Sequence, residues 1–118
     1  RRRKMNHLPI NVVNKRTYKG KFGHYIGGPS VLGNPYTSKD YGGGIRVASV
    51  SEAIRLYEIW LREQIKLGNR AVINELNDIY YKSEEEGCVD LVCWCWPRPC
   101  HGNVIAKVIT EFANKQGQ

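Results

Sequence analysis

One segment restricts the fold of this chain more than any other: Val89-Asp90-Leu91-Val92-Cys93-Trp94-Cys95, an almost unbroken apolar and aromatic run. A strand with one wet face alternates apolar and polar residues. A run without that alternation needs cover on both faces, the condition of a central strand in a parallel sheet. The segment that follows, Trp96-Pro97-Arg98-Pro99-Cys100-His101-Gly102, predicts a loop, and Val104, Ile105, Val108, Ile109 and Phe112 then fall on one side of a helix beginning near Asn103. Strand, loop and helix in that order place the chain in the α/β class.

The rest of the chain supplies partners for this unit. Ile10-Asn11-Val12-Val13-Asn14 is short and β-branched and predicts a first strand ending at Lys15-Arg16, and His24-Tyr25-Ile26 predicts a second. From Gly27 to Pro35 five of nine residues are Gly or Pro, a density no regular element tolerates. Thr37 to Ala48, with Gly42-Gly43-Gly44 inside it, predicts a mobile surface loop. Ser49-Val50-Ser51-Glu52 has the spacing of a capping box and opens a helix in which Ala53, Ile54, Tyr57, Trp60, Leu61 and Ile65 recur every three or four residues until Gly68-Asn69. A second helix runs from about Arg70 to Tyr80 on a stripe of Val72, Ile73, Leu76, Ile79 and Tyr80, with Ser83 to Gly87 as a solvated turn. The expected architecture is a small three-layer α/β domain over residues 10–118, with a short, mostly parallel sheet flanked by helices. Residues 1–9 form a flexible basic segment outside it.

Composition narrows the setting. No apolar run approaches the roughly 18 residues of a membrane span, and Arg1-Arg2-Arg3-Lys4-Met5 lacks the apolar stretch of a signal peptide, so a cytoplasmic protein with no membrane partner is expected. Three of four cysteines crowd between Cys93 and Cys100, which suits free thiols or metal ligands better than a disulfide framework. The net charge of +7 is uneven, with ten Lys/Arg against Asp40 alone in residues 1–50 and eight against ten acids thereafter. A basic N-terminal half can steer polyanions, so a nucleic-acid-binding module is one reading. It requires Lys15 to Lys21, Lys39 and Arg46 to form one face.

Two loops hold the candidate chemistry. Glycines permit positive φ and close backbone approach, so the amides around Gly27, Gly28 and Gly33 could converge on an anion while Ser30 and Asn34 add side-chain hydrogen bonds, an arrangement suited to phosphate or ribose. The same residue types are ordinary turn formers, and on the residues alone two consecutive turns are the simpler explanation. In the second loop a helix start can hold an anion and activate a thiol, making Cys100 the candidate nucleophile and His101 the candidate acid or base, with Gly102 and Arg98 beside them. The plain alternative is a buried cysteine and a histidine that hydrogen-bonds the loop. Cys93, Cys95, Cys100 and His101 could instead bind zinc, although the usual paired-knuckle spacing is absent. Of the three tryptophans, Trp60 and Trp94 fall in the predicted core, and Trp96 either packs over the neighbouring prolines, the simpler role, or stacks on a base. Asp40, Glu52 and Asp90 are the carboxylates available to His101 in an enzyme.

Taken together, Val12-Val13-Asn14, Ile26-Gly27-Gly28-Pro29-Ser30-Val31-Leu32-Gly33-Asn34-Pro35, the aromatic helix Tyr57 to Leu61, and Cys93-Trp94-Cys95-Trp96-Pro97-Arg98-Pro99-Cys100-His101-Gly102 resemble the "domain of unknown function 4326" proteins of phages and bacteria. The resemblance runs from about residue 11 to 112. It implies a Rossmann-like fold similar to nucleotide-binding proteins, and with it a phosphate-binding loop. Gly28 stands where the family pattern carries arginine, which leaves Lys15, Arg16, Arg46 or Arg98 to meet an anion. The expected function is binding of a small phosphate-bearing ligand such as a nucleotide, with either processing at a phosphate or glycosidic bond or sequestration as the outcome. A homodimer that completes the pocket fits the same reading.

Overall fold

The apolar run at Val89 becomes the middle strand of a three-stranded parallel sheet. The computed structural model describes residues 9–20, 23–39, 44–94 and 100–116. In chain order the elements are β1 (Ile10–Asn14), β2 (Gly23–Tyr25), β3 (Tyr36–Thr37), β4 (Ile45–Arg46), α1 (Val50–Lys66), α2 (Arg70–Glu86), β5 (Val89–Cys93) and α3 (His101–Gln116). The sheet order is β1-β5-β2, with Val12 beside Leu91 and His24 beside the same residue on the other flank. All three strands run in one direction, so their carboxyl ends share one edge. The α/β class, the short parallel sheet and its helical flank are as the sequence indicates, and the domain is of Rossmann-like type.

Side-chain alternation assigns the faces. Val89, Leu91 and Cys93 are fully buried and join Ile10 and Val12 in a core with Tyr57 and Leu61 of α1, Val72, Leu76 and Ile79 of α2, and Val104, Ile105 and Val108 of α3. The intervening residues of β5, Asp90 and Val92, belong to the opposite face, where cover comes from the segment after β1. Tyr18 donates its hydroxyl to Asp90 at 3.0 Å. A Cβ on Gly23 would lie 2.8 Å from the Tyr18 ring and 3.1 Å from Val92, so glycine there lets that ring lie flat against the sheet.

Helix boundaries depart from the sequence pattern at two places. The helix α2 continues through Ser83-Glu84-Glu85-Glu86, predicted as a turn, and stops at Gly87 with φ +83°. Ser83 is buried four residues after Ile79 and donates its hydroxyl to the Tyr80 carbonyl at 2.7 Å, which lets a polar residue extend the buried stripe. The helix α3 begins at His101, two residues earlier than predicted. The cap of α1 is as read: Ser49 accepts a hydrogen bond from the Glu52 amide. The predicted loop from Thr37 to Ala48 includes a short parallel ladder between β3 and β4, in which Ile45 N–H donates to the Pro35 carbonyl and Val47 N–H to the Thr37 carbonyl, both at 2.7 Å. Among the described residues, no helix is long and apolar enough to cross a membrane.

Candidate functional site

Parallel strands bring the loop after β2 and the start of α3 to the same edge. In open α/β sheets this carboxyl edge is where ligands bind, because connections there diverge and leave a crevice. A cleft of about 220 Å³ occupies it. Gly27, Gly28 and Asn34 form one wall, Tyr36 to Lys39 a second, and Val50, Ala53 and Ile54 of α1 a third, while Cys93, Trp94, Cys100 and His101 complete it. Another depression of about 220 Å³ lies between the three helices, lined by Ile65, Ile73, Leu76, Tyr80, Val108 and Phe112 among others. Among the described residues its lining has no charged side chain, whereas that of the first includes Lys39.

The Gly/Pro loop is built as two turns. Ser30 N–H donates to the Gly27 carbonyl at 2.8 Å and Gly33 N–H to the Ser30 carbonyl at 2.9 Å. The Ser30 hydroxyl accepts from the Leu32 amide, and the Asn34 side chain bridges the Tyr36 amide and the Ala53 carbonyl, so both side chains brace the loop. None of Gly27, Gly28 or Gly33 has positive φ; among the described residues that conformation belongs to Gly44, Gly68 and Gly87. Glycine is used here for close approach instead. A Cβ on Gly27 would sit 2.5 Å from the Tyr25 hydroxyl, and one on Gly33 would press on Ser30 and Gly28 backbone, whereas Gly28 faces open space. A side chain at position 28 would therefore start from open space beside the cleft.

At the other wall, Cys100 and His101 are buried rather than displayed on a loop. His101 Nε2–H donates to the Ile26 carbonyl at 2.8 Å, which fixes the tautomer and leaves Nδ1 as an acceptor 3.6 Å from Cys100 Sγ. Burial holds the His101 pKa below the usual histidine range, partly offset by the bond to Ile26. Its ring meets Tyr57 edge-on at 5.0 Å. Burial, and secondarily the neighbouring Cys100, pushes the Tyr57 hydroxyl above the usual phenol range, so it remains protonated and donates to the Leu32 carbonyl at 2.7 Å. His101 and Tyr57 thus bind the Gly/Pro loop to α3 and α1. The Gly102 N–H donates to Cys100 Sγ at 3.4 Å, and the Cys100 N–H donates to Asn103 Oδ1 at 3.3 Å, so part of the helix start is capped internally. Gly102 itself lies outside the cleft lining, where a Cβ would meet Ile26 and Val12 at 3.0–3.1 Å; it serves the close packing of α3 on the sheet.

Trp94, predicted in the core, is instead 54% exposed at the carboxyl end of β5. Its Nε1 donates to the Tyr25 hydroxyl at 3.1 Å, which in turn donates to the Gly28 carbonyl at 2.7 Å, and Lys15 Nζ lies 5.7–5.8 Å from both ring centroids. The strand ends at Cys93, one residue too early for the apolar run to cover Trp94. Trp96, Arg98 and Cys95 lie outside the described residues, as does Asp40. Arg46 lies on β4, outside the cleft lining. Sequence reasoning assigned Lys39 to a possible polyanion-binding face and Trp94 to the core, and missed that both line the cleft; only their positions after β3 and β5 mark them.

Carboxylates are elsewhere. Asp90 is engaged with Asn11 and Tyr18, and Glu52 pairs with Arg55 on the surface of α1. Among the described residues, the cleft lining contains no Asp or Glu. Of the zinc ligand set, Cys93 Sγ and Cys100 Sγ are 3.0 Å apart, while Cys95 lies outside the described residues. Among the described residues no group of three or more His, Cys, Asp or Glu is arranged to hold a metal.

Comparison with known proteins agrees with the motif pattern. No curated protein and no solved structure matches the chain. A family model described as "Domain of unknown function (DUF4326)" matches residues 10–111, which takes in the sheet, α1, α2, most of α3 and both loops. With that span matched, the chain belongs to the DUF4326 family.

Proposed function

We propose that this protein binds a small phosphate-bearing ligand, a mononucleotide or nucleotide derivative, in the cleft at the carboxyl edge of the sheet. The observation that supports this reading is the composition of that one cleft: Gly27-Gly28, Lys39 and the exposed Trp94 share a single lining without a described carboxylate. Backbone and a lysine suit phosphate, an aromatic face suits a base, and among the described residues no acid lines the cleft to repel an anion. The size sets the class. About 220 Å³ is below the roughly 300–1,000 Å³ typical of sites that enclose a drug-sized ligand, which favours a mononucleotide with part of its surface in solvent over a dinucleotide.

Binding and retention are favoured over hydrolysis. His101 has both ring nitrogens directed at protein atoms, and no described carboxylate lines the cleft to support it as a general base. The test is calorimetric titration of nucleoside monophosphates, nucleosides and inorganic phosphate into the wild type, Lys39→Ala and Trp94→Ala, after treatment with a chelator and again with zinc. Saturable binding of a monophosphate is expected, weakened by about 1–3 kcal/mol when the stacking ring is removed. Lys39→Ala should weaken phosphate-bearing ligands and spare nucleosides. Equal affinity in all three proteins would overturn the reading, and a response to zinc alone would favour the metal site.

A further inference from the structure

We propose that Cys93 and Cys100 form an oxidisable dithiol in the wall of the cleft, at which a peroxide drives formation of an intramolecular disulfide. Their sulfurs are 3.0 Å apart, so forming an S–S bond of about 2.05 Å requires an approach of only about 1 Å. Neither cysteine is in a disulfide. Each is shut off from the outer surface, yet both belong to the cleft lining, which gives a small oxidant a route that an ordinary core cysteine lacks. This inference is independent of what ligand the cleft binds.

The surroundings distinguish the two sulfurs. Cys100 Sγ receives the Gly102 N–H at 3.4 Å and faces the Nδ1 acceptor of His101 at 3.6 Å, so its proton has a place to go and its sulfur a donor to lean on. Cys100 is therefore the attacking thiol and Cys93 the resolving one. In the first step a Cys100 sulfur lone pair forms an S–O bond with hydrogen peroxide as the O–O bond breaks. The departing hydroxide takes the thiol proton and leaves as water. In the second step Cys93 Sγ attacks the Cys100 sulfur, the S–O bond breaks, and the hydroxyl leaves with the Cys93 proton as a second water. The dithiol loses two electrons and two protons, and one peroxide becomes two waters.

The experiment exposes the reduced full chain to hydrogen peroxide, alkylates the remaining thiols and maps the peptides by mass spectrometry. The expected product is a Cys93–Cys100 linked peptide, lighter by two hydrogens and restored by dithiothreitol, leaving two of the four cysteines alkylated. Cys88→Ser and Cys95→Ser should give the same linkage. Cys93→Ser should halt at a sulfenic acid on Cys100, trapped by a cyclic 1,3-dione. The proposal fails if peroxide leaves both thiols open to alkylation, if the linkage joins Cys95 or two chains, or if only sulfinic and sulfonic acids appear. The wild-type map decides the matter even if a variant does not fold.

Discussion

His101 ties the Gly/Pro loop to the start of α3 through Nε2–H, a donor in both protonation states, so a second proton must go to the buried Nδ1 beside Cys100. Because burial depresses its pKa in the folded protein, the unfolded chain takes up the proton first as pH falls from the ordinary value of about 6.5. More protons bound by the unfolded state means stability that is present above that value and is lost as pH falls through the folded one. His101→Leu removes the titration and leaves the Ile26 carbonyl without its donor. Near neutral pH the variant should be less stable by roughly 1–3 kcal/mol, the cost of an unpaired buried acceptor. Urea unfolding from about pH 8 to about pH 5 should show that deficit narrowing toward acid. His24, held between Glu75 at 2.8 Å and Lys82 at 2.9 Å, is present in both proteins and cancels in the difference. A deficit independent of pH would mean that His101 titrates alike in both states.

Whole elements are stopped and spaced by single residues. Gly87 ends α2 in the left-handed conformation with nothing within 4 Å of where a Cβ would stand, so Gly87→Ala changes backbone strain alone. Chemical denaturation should register a loss of about 1 kcal/mol, and an unchanged protein would mean the helix ends elsewhere. The sequence carried α1 clearly, since apolar spacing, the Ser49 cap and the Gly68-Asn69 stop coincide. It carried β1 and the parallel central strand for the same reason: hydrophobic pattern and element length agree there. The end of α2 was hidden because a buried serine reads as polar, although Ser83 continues the stripe of Val72, Leu76 and Ile79. The start of α3 was hidden because Gly102 weakens a helix by propensity, and its reason is a packing distance to Val12 and Ile26 that no local pattern records. The ladder of β3 and β4 is two residues long, too short for any periodicity. At the site, the sequence brought the two loops together correctly, but which side chains face the cleft depends on where β5 ends. Cys93 is its last strand residue, and that turns Trp94 outward.

At the scale of the molecule the question is whether its charge binds one phosphate group or a polyanion. The positive balance of the sequence is real, but the described cleft lining takes only Lys39 from it. Several other described cations pair with their neighbours. Arg62 bridges Glu58 and Glu111, and Lys107 pairs with Glu58, so this network joins α1 to α3 on the outside of the helical layer. Lys15 is drawn over the Tyr25 and Trp94 rings at the cleft mouth. A site with one or two cations releases few counterions, whereas a protein neutralising 6–10 phosphates loses roughly 10³–10⁵ in affinity between about 50 and about 200 mM salt. Nucleoside monophosphate affinity is therefore expected to fall by no more than about tenfold over that interval, a slope near one or two on logarithmic axes. The same titration with a single-stranded oligonucleotide should give weak binding that disappears with salt. If the oligonucleotide instead binds more tightly than the mononucleotide and its affinity falls steeply, the basic N-terminal half acts as one continuous face. The cleft would then be a pocket for one base of a longer strand.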